Sequence, residues 1–347
     1  MKKIKFMNDY QEGCHPSILK KLVETNLEQT TGYGEDHYCD EARSLIRKAC
    51  GNDDVDVHFL VGGTQTNAVF LKHILRPYQG VLCAETGHIN CHETGALESS
   101  GHKCLTLSVD NNAKINAEQV EKAYIEQNTN DAFEHIVQPG AVYISQATEN
   151  GTLYTLQELE ELSCVCRKYS LPLFVDGARM GYALASPFND VSLEDLTRLT
   201  DAFYIGGTKC GSLFGEALVI TNKEIGKNFR YSIKQGGAML AKGRLLGIQF
   251  ACLFDNDLYI ANCQKAVRQA LHIAGVLQSH GYSLFSQSPT NQQFVIIDNK
   301  KLVQLQQKYD FTLWSKLDND KSVIRICTSW ATEDKNVEAL LCDMTQL

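Results

Sequence analysis

Short apolar runs alternate along this chain with longer stretches whose apolar residues recur at every third or fourth position. In the segment TLQELEELSCVCRKYS, Leu156, Leu159, Leu162 and Val165 share one helical face. Thr155 and Glu158 fit a capping box, and Arg167 and Lys168 fall in the last turn, where they oppose the helix dipole. The run LPLFVD then reads as a buried strand ending at Asp176. Ser192 and Asp195 open another capped helix, and DAFYIG is the strand after it. This alternation predicts an α/β fold with a mixed, mostly parallel sheet. Asp176 and Lys209 then lie at the carboxyl ends of consecutive strands, the edge at which open α/β sheets bind ligands.

Upstream, VDVHFLVGGTQTNAVFLKHIL runs from a strand into a helix that begins near Gly63 and Thr64. Free backbone N–H groups and the positive dipole end favour an anion there, most simply a phosphate. GVLCAETGHIN predicts a further strand with His88 beyond its end. A helical stretch from about Met239 to Gly281 is broken near Asp255 to Asp257. QQFVIID, FTLWSK, VIRICT and a last helix from about Ala331 then form a smaller α/β unit. The expected division is a large domain over residues 1–254 and a small one over 255–347.

Composition narrows the partners. A formal net charge of -8, with no run of Lys or Arg, argues against nucleic acid. The basic start MKKIKFMNDYQEG lacks the apolar core of a signal peptide, and no apolar run approaches membrane-spanning length. Thirteen cysteines are scattered without a CxxC pair, which fits a reducing cytoplasm and cysteines used as small core residues.

The stretch YIGGTKCGSLFG poses the chemical question. It is not a P-loop, because Thr208 precedes Lys209 and Cys210 follows it. VGGTQTNA also lacks the glycine spacing of a dinucleotide fingerprint. His88 and His92, spaced by four with Glu93 adjacent, allow two metal ligands on a helical face and hence a metal hydrolase, yet no HExxH order accompanies them. An aldehyde cofactor bearing a phosphate and a pyridine ring fits better. A lysine amine can form a Schiff base with it, a strand-end carboxylate can keep its ring nitrogen protonated, and a helix N-terminus can take its phosphate. Lys209, Asp176 and the Gly63–Thr64 turn supply those groups.

VDGARMGYALA followed by YIGGTKCG resembles the aspartate and lysine segments of the pyridoxal-phosphate-dependent L-threonine aldolases, of the β-eliminating lyase group. FMNDY, GYGED, VGGTQTN, ETGHIN, ISQATENGTLY and IRICTSWATED match in the same order, over nearly the whole chain. The resemblance implies the fold of aspartate aminotransferase (fold type I), pyridoxal 5'-phosphate as cofactor, and a carbon–carbon lyase. Its reaction is cleavage of L-threonine, L-allo-threonine or a related L-β-hydroxy-α-amino acid to glycine and an aldehyde. β-Elimination and transamination use the same cofactor and remain alternatives.

The resemblance also implies residue roles. Lys209 holds the cofactor, Asp176 pairs with the pyridinium nitrogen, His88 stacks on the ring, and Gly63 and Thr64 bind phosphate. Arg179 and Arg325 grip the substrate carboxylate. His135 lies near the substrate hydroxyl, where it or His88 serves as base. Asn8 and Tyr33 are further substrate contacts, Tyr33 from a neighbouring subunit of a homodimer or homotetramer. Asn8 replaces a serine and His92 an acidic residue that are frequent in relatives, and both differences bear on substrate choice.

Overall fold

The computed structural model describes residues 3–347. A two-residue strand, β1 (Ile4–Lys5), precedes a seven-stranded sheet built from β2 (Asp56–Leu60), β3 (Gln79–Ala84), β4 (Cys104–Leu107), β5 (Gln138–Ser145), β6 (Leu173–Asp176), β7 (Ala202–Gly206) and β8 (Glu216–Ile220). Their spatial order is β2-β8-β7-β6-β5-β3-β4. Neighbours from β7 through β4 pair in parallel, while β8 runs antiparallel to both β7 and β2. The expected mixed, mostly parallel sheet is therefore present. β8 departs because the Gly207–Gly215 turn is too short for a crossover helix, and a short turn permits only antiparallel pairing. Gly211 and Gly215 take left-handed φ values of 119° and 120° in that turn, a region that favours glycine.

Every residue of β6, β7 and β8 is buried, as central strands covered on both faces must be. One core packs on one face, with Val175, Phe203 and Ile205; a second packs on the other, with Phe174, Tyr204 and Leu218. Both sequence-predicted capping boxes form: Thr155 with Glu158 at the helix Leu156–Lys168, and Ser192 with Asp195 at the helix Leu193–Leu199.

A second sheet holds β9 (Ser283–Leu284), β10 (Gln292–Asp298), β12 (Thr312–Lys316) and β13 (Lys321–Cys327), in the order β12-β13-β10-β9. Between β10 and β12, β11 (Tyr309–Asp310) pairs in parallel with β1, and Phe6 enters this sheet's core. The chain's beginning is thus packed with its end. Asn256 and Asp257, with φ of 52° and 57°, break the helical stretch where the sequence places a break, since short polar side chains tolerate that region. The helix that follows, Leu258–Ser279, puts Tyr259, Cys263 and Val267 in the first core and Ile273 and Leu277 in that of the second sheet.

Candidate active site

Parallel pairing brings the carboxyl ends of β5, β6 and β7 side by side, with Ser145 in register with Asp176. Asp176 is only 4% exposed. Its Oδ1 accepts hydrogen bonds from Tyr204 Oη at 2.5 Å and the Ala178 N–H at 3.0 Å. Its Oδ2 accepts from Tyr143 Oη at 2.5 Å and Asn67 Nδ2 at 3.0 Å. Burial pushes this carboxyl's pKa up, but the charge of His88 and the donated hydrogen bonds outweigh it and hold the pKa below the usual value. Asp176 is fixed as an anion.

Asn67 belongs to the helix Gly63–Ile74, whose start lies about 6 Å away along its axis at 1.5 Å per residue. Gly62 provides no side-chain cap, and among the described residues the first N–H groups of this helix have no partner. A Cβ at Gly63 would stand 2.9 Å from Tyr204 Oη, so a bare backbone lets the helix start approach the donors around Asp176. Thr64 follows in the first turn.

Lys209 projects from the turn after β7, partly buried. Among the described residues its amine makes no hydrogen bond and no ion pair. Burial, and then the nearby guanidinium of Arg179, push its pKa down and favour the neutral, nucleophilic form. Glu216, the first residue of β8, accepts from Thr208 Oγ1 at 2.9 Å and from the Gly207 N–H at 3.2 Å, bracing the base of the same turn. Burial raises Glu216 to about 8.

His88 opens a short helix beyond β3, and its Nδ1 lies 2.8 Å from Glu93 Oε1. Burial disfavours its charge, yet the bond to Glu93 and the charges of Asp176 and Glu93 leave its pKa raised. His88, Glu93 and Asp176 converge closely, whereas His92 is not part of that group; its ring is exposed, 5.6 Å from that of His88 and 6.3 Å from Trp314. The facing atoms of His88 and Glu93 bond to each other. His92 stays outside this group, so the two-histidine arrangement is not formed.

Across the cleft, Arg179 uses Nε and Nη2 to grip both oxygens of Asp9 at 2.9 and 3.0 Å. Arg325, on β13, donates Nη1 to Gln292 Oε1 at 3.1 Å and Nη2 to the Met7 carbonyl at 2.8 Å, and lies over the Trp314 ring. Its Nε is buried without a partner. Each guanidinium feels the other's charge, and burial followed by that repulsion lowers the pKa of Arg325. Asn8 lies between Met7 and Asp9, and its Oδ1 accepts the Tyr10 N–H.

A beta-eliminating lyase family model matches residues 9–300. The chain belongs to the beta-eliminating lyase family. It superposes on a threonine aldolase of Leishmania major with a TM-score of 0.96 and 42% identity, over 99% of each chain. It is 28% identical to the low specificity L-threonine aldolase of a Pseudomonas strain over 344 residues, 98% of this chain and 96% of that one. An aspartate aminotransferase of Thermus thermophilus shares the fold, with a TM-score of 0.70 at 12% identity, over 99% of this chain and 91% of that one.

Two predicted site residues lie away from these groups. His135 is exposed on a 3-10 turn before the amino end of β5. β5 alone spans seven residue steps from Gln138 to Ser145, roughly 23 Å at 3.3 Å each, and His135 lies before its start, so within one chain it does not reach a hydroxyl near Asp176. Its place ten residues before Ser145 gave the spacing but not the end of the strand. Tyr33 borders another cavity, with Arg230, Tyr231, Lys234 and Met239, and the Lys234 amine sits 4.8 Å from its ring centre. Of the predicted residues, Lys209, Asp176, His88, Arg179 and Arg325 lie close enough for their charges to bear on one another, and Gly63 stands beside Tyr204. Thr64 borders a cavity with Ala68, Val69 and Ser232, and Asn8 bonds the Tyr10 N–H. Sequence inspection missed Asp9, Asn67, Glu93, Tyr143, Glu149, Tyr204 and Glu216. Only the buried ends of the strands and an acidic residue five beyond His88 hinted at any of them.

Proposed function

We propose that the chain is a pyridoxal 5'-phosphate-dependent aldolase that cleaves L-threonine, L-allo-threonine or a related L-β-hydroxy-α-amino acid to glycine and an aldehyde. The carrying observation is that an unpaired lysine amine, a carboxylate held ionised and an uncapped helix start converge in one cleft. These groups fit an aldehyde, a pyridinium nitrogen and a phosphate. Lys209 would hold the aldehyde carbon, Asp176 the ring nitrogen, and Gly63 and Thr64 the phosphate, with His88 against the ring. When bound, the cofactor supplies an electron sink for the pair left on the substrate's Cα.

The chain's own residues do the rest. Arg325 and the edge of Arg179 not engaged by Asp9 would receive the substrate carboxylate. Anchoring that carboxylate would fix the substrate's rotation about N–Cα and so select the bond to be broken; orientation of this kind removes several kcal/mol from a barrier, of the roughly 7–11 available to proximity effects. Asn8 borders the same pocket through its neighbour Met7.

Oligomer formation completes this picture. Leu19, Val23 and Leu27 leave apolar side chains uncovered, Leu27 92% exposed, and Tyr231 beside Tyr33 is 79% exposed. These surfaces support a homodimer or homotetramer in which Tyr33 enters a neighbouring subunit's site. All thirteen cysteines are free, and among the described residues no helix is long and apolar enough to cross a membrane. Both observations support a cytoplasmic enzyme with a small amino-acid substrate.

The test is the purified protein reconstituted with pyridoxal 5'-phosphate and offered a panel of L-β-hydroxy amino acids, with glycine, keto acid and ammonia scored separately. Glycine and acetaldehyde in equal amounts from L-threonine are the expected products. Ammonia with a keto acid, without glycine, would replace the aldolase by a β-eliminating lyase, and keto acid without ammonia by an aminotransferase.

A further inference from the structure

Resting on that aldolase function, we propose that Glu149 is the catalytic base that takes the substrate's β-hydroxyl proton. β5 ends at Ser145, and the loop beyond it turns Glu149 back toward the neighbouring strand ends. Glu149 Oε1 accepts the backbone N–H of His88 at 3.0 Å and the hydroxyl of Ser145 at 2.7 Å. Its Oε2 makes no hydrogen bond within the described residues, and the side chain is only half-buried. One oxygen is anchored, and the other is open to a ligand.

No other acidic group of the cleft combines those properties. Asp176 has both oxygens occupied by four donors. Asp9 is clamped by Arg179 and Asn291, and Glu216 by Thr208 and Gly207. Glu93 Oε1 is shared by His88 and Asn67, and its Oε2 is sealed from solvent. Against the pull of burial, the bond of His88 Nδ1 to Glu93 and the charges of Asp176 and Glu93 raise the His88 pKa, which favours the protonated ring, a form that cannot accept a proton. Tyr143 and Tyr204 donate to Asp176, and His135 lies beyond the opposite end of β5.

The surroundings tune Glu149 for the task. Facing it are His88 and Cys91 from the segment after β3, Cys83 from β3, Tyr143 and Ser145 from β5, Asp176 from β6, and Tyr154 from its own loop. Burial raises its pKa, the Ser145 hydroxyl lowers it, Asp176 raises it and His88 lowers it, with a net rise. An ionised carboxylate whose pKa lies nearer neutrality is a stronger base than an ordinary glutamate. In the cleavage direction the hydroxyl proton passes to Glu149 Oε2, and the freed O–H pair becomes the second bond of the aldehyde carbonyl. The Cα–Cβ pair stays on the carbon that becomes glycine. That carbon takes up one proton from solvent, and Glu149 releases its own to solvent, so the balance closes.

The experiment compares wild-type, E149Q and E149D holoenzymes with L-threonine from about pH 5 to 9. E149Q is expected to lose about 100-fold or more in kcat, the range of general base catalysis, with KM changed by less than about threefold. The fall in activity on the acid side should vanish in E149Q and persist in the slower E149D. All three should show the same bound-cofactor absorbance and exchange the Cα hydrogen of glycine with solvent at equal rates, because that exchange needs no hydroxyl proton. An E149Q enzyme that cleaves threonine within about threefold of wild type and keeps the acid limb overturns the proposal. So does one that loses glycine exchange as well, which would mark a purely structural role. A wild-type protein that exchanges glycine but releases no aldehyde overturns the aldolase function, and this proposal with it.

Discussion

The two ends of the cleft are built on opposite plans. Around Asp176 the chain supplies every partner itself: two tyrosines, an asparagine and a backbone N–H converge on one carboxylate before any ligand arrives. Around Lys209, Glu149 and Arg325 the described residues leave an amine, a carboxylate oxygen and a guanidinium N–H without partners. Of these three only the Arg325 Nε is closed off from solvent; a buried polar group without a partner costs about 1–3 kcal/mol, so that group is sustained at the expense of stability. The difference separates what must be rigid before binding, a fixed charge, from what a ligand completes.

Substitutions should divide along this line. The largest effect is expected for Lys209→Ala, which should remove both turnover and the absorbance of bound cofactor while leaving the fold intact, as checked by circular dichroism. Retained absorbance would place the attachment elsewhere. Next is Asp176→Leu, which strands the hydroxyls of Tyr143 and Tyr204 in a dry core. It should lower unfolding free energy by about 3–5 kcal/mol, measured by denaturant titration of the cofactor-free protein, besides weakening cofactor binding. Arg325→Lys belongs to the unfinished end. It should raise KM by about 30-fold, since lysine cannot reproduce the planar fork, with little loss of stability.

A pH dependence sharpens the contrast further. Glu216 has its folded-state pKa raised to about 8 by burial, so between roughly pH 4.5 and 8 the native state holds a proton that the unfolded chain has released. Stability from this group is therefore lost as pH rises through that window. Glu216→Gln should flatten the decline, so that its melting temperature overtakes that of wild type near pH 8, both measured without cofactor. The smallest effect should come from outside both ends: Thr155→Ala removes one capping box and should cost about 1 kcal/mol, with unchanged kinetics.

Local signals carried much of the architecture. The caps at Thr155 and Ser192, the break at Asp255–Asp257 and the strand ends at Asp176 and Gly206 each depend on neighbours within a few residues, and each is legible in the sequence. The partners of the functional residues are not. Asp9 reaches Arg179 across 170 positions, and Asn67 reaches Asp176 across 109. Periodicity says nothing about such pairs, because only the closed sheet creates them. Which end of β5 faces the cleft is likewise a property of sheet direction, so His135 and Glu149, on opposite sides of Ser145, could not be ranked before the sheet was built.

The helix Leu258–Ser279 makes one rigid rod common to both cores, and β1 with Phe6 ties the chain's beginning into the second of them. Neither half can melt without stripping packing from the other, so heating should produce a single calorimetric peak. Protease nicking near Asp255–Asp257 should not liberate a folded carboxyl-terminal fragment, because the severed piece would lack both its spine's anchorage and the strand that pairs with β11.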